Sequence, residues 1–201
     1  MFSGWTECAA IASRSQKCVT AALETIRARL PFALLGVDSD NGTEFLNDQL
    51  LRYCQLHELT FTRTGQIAAI FRCRPYKKND QCFVEQKNWS VVRRGVGYVR
   101  QEGERGVGLL NAVYAALCPF QNYFQPSLKL LSKERNGARV KKTYDAAKTP
   151  NRRVAGWGEC PPEVKASLSS DHAALNPVRL LDRIEVAQGR LMPLSKVAGE
   201  I

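Results

Sequence analysis

Residues 33–46, ALLGVDSDNGTEFL, constrain the fold more than any other stretch of the chain. Ala33 to Val37 form a short apolar run of the kind that fills a buried strand. The run stops in Asp38-Ser39-Asp40-Asn41-Gly42. There, short polar side chains bond local backbone and a glycine is free to take a positive φ. A buried strand that ends in acids predicts an α/β domain, because open α/β sheets hold their ligands beyond the carboxyl ends of central strands. Asp40 is therefore a candidate ligand, with Asp38 as the alternative. Asn41 either closes the turn or contacts what binds there.

A second acid lies in residues 74–94, RPYKKNDQCFVEQKNWSVVRR. Asn79 or Asp80 predicts the cap of a helix running on through Val84, Gln86, Lys87, Asn88, Val91 and Val92. Gln81, Glu85, Asn88 and Val92 recur at helical spacing, so one helix face carries Glu85. A strand-end Asp and a helical Glu that converge offer only oxygen donors, a set suited to a hard divalent cation.

Charge points to the partner. The chain carries 29 Lys and Arg against 19 Asp and Glu, a formal net charge of +10. Such a balance favours a polyanion through counterion release. No apolar stretch is long enough to span a bilayer. The seven cysteines, Cys8, Cys18, Cys54, Cys73, Cys82, Cys118 and Cys160, are scattered and form no C-x-x-C. They read as buried thiols of a reducing cytosol rather than a zinc ribbon. With no secretory signal before the first helix, the expected location is the cytoplasm. His57 and His172, two alone, do not make a zinc site, and His57 reads as a helix-surface residue.

Taken together these stretches resemble the catalytic core of bacterial insertion-sequence transposases, members of the D,D,E superfamily that includes retroviral-type integrases. The matching residues are Asp40-Asn41-Gly42-Thr43-Glu44-Phe45, then Phe61-Thr62-Arg63, then Arg74-Pro75-Tyr76-Lys77-Lys78-Asn79-Asp80-Gln81, and Val84-Glu85-Gln86-Lys87-Asn88. The match continues at low intensity from Gly4 to about Leu191. Between Asp40 and Glu85 lie 44 residues, nine of which (65–73) resemble an insertion into the loop bordering the family's active site. Without them the interval is 35, the family's own spacing. The family uses three acids, the first on the first strand of its sheet. Here Asp38 is the earliest Asp, and Glu7 and Glu24 are not placed like that first acid.

The resemblance implies an RNase H-like α/β fold, a mixed sheet flanked by helices, lacking the first strand and carrying a small C-terminal helical extension. It divides the chain into an incomplete catalytic core (1–100), a core-associated helix and basic segment (101–148), and a linker with C-terminal helices (149–201). The implied activity is transposition: cleavage of a DNA strand and its transfer to target DNA by two-metal chemistry. Mg²⁺ or Mn²⁺ is the implied cofactor, with Asp40 and Glu85 as catalytic residues and metal ligands. DNA, as element ends and target, is the implied partner, contacted first by Lys87, then by Arg74, Lys77 and Lys78, with Asn88 and Asn41 beside them. An intact copy is expected to form a homo-oligomer and to have no membrane contact. The chain itself is expected to be an N-terminally truncated copy of marginal stability. The alternative is an inactive remnant that only binds DNA or a full-length transposase.

The remaining expectations are local. Trp5–Ile11 reads as a strand entered through a turn at Ser3-Gly4. Ser13 or Ser15 caps a helix to about Leu30, with Val19, Ala22, Leu23 and Ile26 as its apolar stripe. Residues 47–58 form a helix capped by Asn47, with Leu50, Leu51, Tyr53 and Cys54 inward, and 59–62 a strand. Gly95-Val96-Gly97 ends the Glu85 helix. A helix from about Val107 to Leu117 follows. Residues 129–142, containing KERNGARVKK, are a basic run that is either a solvated face or a phosphate contact. Thr149-Pro150-Asn151 starts a linker. Two short helices, Pro161–Leu168 and Asn176–Leu191, follow, the second with Leu180, Leu181, Ile184 and Leu191 on one face.

Overall fold

The computed structural model describes residues 3–39, 48–63, 88–97 and 103–197. Among these the architecture is mixed α/β, with seven α-helices and two separate two-stranded sheets. The chain divides into two compact units, one within residues 8–113 and 186–201, the other within 1–7 and 114–185. The division falls inside two long helices, after Val113 and after Glu185.

The first unit is built on a strand–helix–strand core. Helix α1 is Gln16–Arg29, and Ser15 caps it by accepting from the Cys18 amide at 3.3 Å. Of the two serines that sequence offers, Ser15 is the cap. Strand β1 is Gly36–Ser39, helix α2 is Asp48–Leu56, and strand β2 is Thr60–Arg63. The strands pair in parallel, Gly36 opposite Thr60 and Ser39 opposite Arg63. Parallel neighbours need a crossover, and α2 lies in that connection. Leu50, Tyr53 and Cys54 are its buried face, and Leu23, Val37 and Leu59 pack on them. Leu51, expected inward, is exposed. It sits one position from Leu50, and a single apolar stripe on a nine-residue helix does not reach it.

Gly36 is required where it stands. A Cβ there would fall on the Thr60 hydroxyl and 2.8 Å from the Thr60 carbonyl oxygen. The backbones come this close because Thr60 donates both its amide and its hydroxyl to the Leu35 carbonyl, each at 3.0 Å. Beyond α2, His57 ties the helices together. Its Nε2 lies 3.0 Å from the Glu24 carboxylate, and its Nδ1 takes the Arg27 guanidinium at 2.8 Å. Arginine only donates, so Nδ1 is the bare nitrogen and Nε2 carries the proton. The Tyr53 hydroxyl, with Arg27 and His57 alongside, holds the Glu24 carboxyl below its ordinary range. His57 is thus half-buried in a polar cluster just past α2 and not on the helix surface.

Asn88–Arg93 is a π-helical turn that runs into the three-residue helix α3, Arg94–Val96. Gly97 ends it at φ 80°, as the glycines predict. Gln188 donates to the Gly95 carbonyl at 2.5 Å and so satisfies one of the oxygens a helix end leaves open.

Helix α4, Gly103–Phe124, is longer at both ends than expected and passes through Pro119. That proline removes the amide that would bond the Ala115 carbonyl. Ala115 itself is exposed. Trp5–Ile11 belongs to no sheet among the described residues, and two asparagines on α4 hold its backbone. In one unit Asn122 accepts from the Thr6 amide and donates to the Thr6 carbonyl, both at 2.8 Å. In the other Asn111 does the same for Ala10, at 2.9 and 3.1 Å. Each carboxamide supplies the donor and acceptor that a neighbouring strand would.

The second unit holds strand β3, Leu130–Asn136, and strand β4, Arg139–Tyr144, followed by helices α5 (Pro150–Ala155) and α6 (Pro162–Ala174) and by helix α7 (Pro177–Val197) as far as Glu185. Thr149 is not a linker residue. It caps α5, accepting from the Arg152 amide at 3.3 Å, and Thr149, Pro150 and Asn151 are all buried. Proline just after the cap is pre-set for a helix start. Leu168 on α6 is fully buried, and Leu180 and Ile184 bury the inner face of α7, whereas Leu181 is exposed. Tyr123 stacks on His172 and donates to Asp171 at 3.2 Å. Burial pushes the Tyr123 hydroxyl up, and the Asp171 charge adds to that.

Candidate functional site

β1 ends at Ser39, and Asp40 is the next residue in the chain. The carboxyl ends of β1 and β2 are level, since Ser39 is the register partner of Arg63. The candidate residues themselves, Asp40, Asn41, Arg74, Lys77, Lys78, Glu85 and Lys87, lie outside the described residues, as does the 65–73 segment. Asn88 is described through its backbone and opens the π-helical turn Asn88–Arg93. Among the described residues no group of three His, Cys, Asp or Glu side chains is placed to hold a metal ion. As a donor set, the two acids Asp40 and Glu85 supply oxygen alone, which fits Mg²⁺ or Mn²⁺ and not a thiophilic metal.

The basic run 129–142 takes a form that sequence reading missed. It is a β-hairpin, with Leu130 paired to Tyr144, Lys133 to Lys142, Glu134 to Lys141, Arg135 to Val140 and Asn136 to Arg139. The turn residues are Gly137 and Ala138. Gly137 has φ 60°, the conformation a type II′ hairpin turn demands of its first central residue. Asn136-Gly137 between two runs of strand-forming residues was the signal that could have found it. Leu131 is an extra residue in β3, a bulge near the root. Every residue of both strands but Ser132 is exposed.

The root of the hairpin is tied with unusual density. Asp145 accepts from the Lys129 amide at 2.6 Å, and the Asp145 amide donates to the Lys129 carbonyl at 2.9 Å. Ser127 and Lys148 exchange backbone hydrogen bonds of 3.1 and 3.3 Å. Arg153, reaching back from α5, forks onto the Asp145 carboxylate and also donates to the Ser127 carbonyl at 2.7 Å. The side chains are 8% (Arg153) and 19% (Asp145) exposed. The guanidinium, and after it the Lys129 amide, pull the Asp145 carboxyl down to about 2. A planar fork on a carboxylate fixes orientation as well as distance.

Over 159 residues the chain is 42% identical to "Uncharacterized protein y4rM" of Sinorhizobium fredii (strain NBRC 101917 / NGR234). That alignment takes in 79% of this chain and 42% of the relative, so the chain spans less than half the length of the protein it matches. No protein-family model and no solved structure matches. No helix among the described residues is long and apolar enough to cross a membrane.

Proposed function

We propose that the chain is the catalytic region of a bacterial DNA transposase with an RNase H-like, integrase-type core. The observation that carries this reading is the β1–α2–β2 unit. A parallel strand pair with a helix in its crossover ends level at Ser39 and Arg63, and Asp40 follows at once in the chain. Ligands of α/β sheets collect at such strand ends. The Asp40–Glu85 interval and the basic composition agree with it. Asp40 and Glu85 would hold Mg²⁺ or Mn²⁺, which when bound neutralises charge on phosphoryl oxygens. Lys87, Arg74, Lys77, Lys78, Asn88 and Asn41 would position DNA phosphates. Element ends and target DNA are the substrates.

A second reading, that this chain binds DNA or a full-length transposase without cutting, is favoured by one feature. No Asp precedes Asp38, so the third acid is not in this sequence. Two carboxylates leave a metal under-coordinated, and positioning with charge stabilisation supplies most of phosphoryl-transfer catalysis. Nicking of supercoiled DNA in the presence of Mg²⁺ or Mn²⁺ separates the two. The first reading expects cation-dependent nicking that Glu85→Gln abolishes. Nicking that persists in Glu85→Gln contradicts it, and DNA binding with no nicking selects the second.

A further inference from the structure

We propose that the β3–β4 ribbon is a duplex-DNA-binding element, and that it grips through one face, the one carrying Lys133, Arg135 and Lys142. The identity of the polyanion rests on the DNA reading above. The ribbon does not depend on Asp40 or Glu85.

Register sorts the side chains. Paired residues share a face, and so do residues two apart along a strand. One face therefore reads Leu130 and Tyr144 at the root, Lys133 and Lys142 above them, and Arg135 and Val140 toward the turn. The other reads Ser132 and Thr143, Glu134 and Lys141, Asn136 and Arg139. The first carries three cations and no acid. The second carries Lys141 and Arg139 against Glu134, which faces Lys141, and so has a smaller net charge.

Lys133 opposite Lys142 is the informative pair. Like charges directly across an antiparallel ladder destabilise it. On the opposite face the register sets Glu134 across from Lys141, opposite in charge, whereas here the facing residues are alike. A two-stranded hairpin with both faces in water is marginal by itself. This one nevertheless bears a repulsive pair, and its order comes from the Arg153–Asp145 root. A fixed root and a repulsive cationic face suit an element that waits for an anion to cover it.

Shape selects the anion. Two strands about 4.8 Å apart, with side chains, fit the roughly 12 Å major groove of B-form DNA, which admits a two-stranded ribbon. The deep, narrow major groove of A-form RNA does not. A membrane surface is a poorer match. Leu128, Leu130, Leu131 and Tyr144 lie at the root, and Val140 is the one large exposed apolar residue near the turn.

The test is salt-dependent binding of the full chain to a short DNA duplex, with melting curves confirming that each variant folds. In the triple variant Lys133→Gln, Arg135→Gln, Lys142→Gln, affinity is expected to fall on the order of 10- to 100-fold at low salt. The slope of log affinity against log salt flattens by about 2 to 3. The opposite-face variant Arg139→Gln, Lys141→Gln changes affinity by less than about threefold at the same salt. Equal losses in the two ribbon variants overturn the one-face grip, and an unchanged triple variant overturns the ribbon while leaving DNA binding in place. Wild-type chain that prefers RNA duplex or anionic vesicles to DNA overturns the inference. Wild-type chain with no DNA affinity removes the DNA reading itself.

Discussion

Among the described residues are two strand pairs, and they are held in opposite ways. β1–β2 is short and parallel and has a helix in its crossover, with Leu50, Tyr53 and Cys54 forming a small buried cluster beside Val37. Its order is a matter of apolar burial. β3–β4 is longer and antiparallel, and it is exposed on both faces. Its order is a matter of polar ties at one end, centred on Arg153 and Asp145. A strand pair supported by a core has one face committed to that core. A strand pair supported at its root keeps its length free, and here that length carries cations.

The comparison can be broken from either side. The largest effect is expected from Leu50→Ala, which empties part of the β1–β2 cluster and should cost about 2–5 kcal/mol in denaturant unfolding. Amide exchange should show β1–β2 losing protection while residues 129–145 keep theirs. Gly36→Ala is next, at about 1–3 kcal/mol, because the new methyl must push Thr60 away and with it the β2 backbone.

On the other side, Asp145→Asn should release the ribbon root and lower the melting temperature by less than Leu50→Ala does. Protection should be lost at Lys129 and Asp145 and not in β1–β2. Acid tests the same tie. Asp145 is depressed in the folded chain, so its contribution is complete above its ordinary value near 3.8 and disappears as pH falls through about 2. Exchange at the ribbon root should rise between pH 4 and 2 in wild type, and Asp145→Asn should abolish that dependence. The smallest effect carries an unusual sign. Lys133→Thr removes the like-charged pair and should stabilise the fold by about 0.2–1 kcal/mol while weakening duplex binding. A variant that loses stability and keeps binding would show that the pair serves the fold.

What was legible in the sequence was local. A serine cap at Ser13 or Ser15, a glycine terminator at Gly95-Val96-Gly97 and the inward Leu50, Tyr53 and Cys54 all follow from chemistry within a few residues, whereas β1 runs Gly36–Ser39, past the apolar run that ends at Val37. Periodicity overextended the apolar faces by one residue, at Leu51 and Leu181, because burial depends on what faces a helix and not on its own stripe. The strand expected at Trp5–Ile11 failed for a non-local reason: its backbone partners are asparagine side chains about a hundred residues away. The linker expected at Thr149 failed because the same Thr-Pro pair is also a helix start. The ribbon was hidden by its composition. KERNGARVKK shows no alternation of apolar and polar residues, since neither face is buried, and only Asn136-Gly137 marked the turn. For the proposed metal site, Asp40 and Glu85 are legible as a spaced pair in the sequence, and they lie outside the described residues.

The most direct test of the account is hydrogen exchange of the full chain with and without a DNA duplex. The account predicts slowed exchange concentrated in Leu130–Tyr144, strongest around Lys133 and Lys142, and reversed by added salt. Slowed exchange elsewhere, with the ribbon as open as in the free chain, would contradict it.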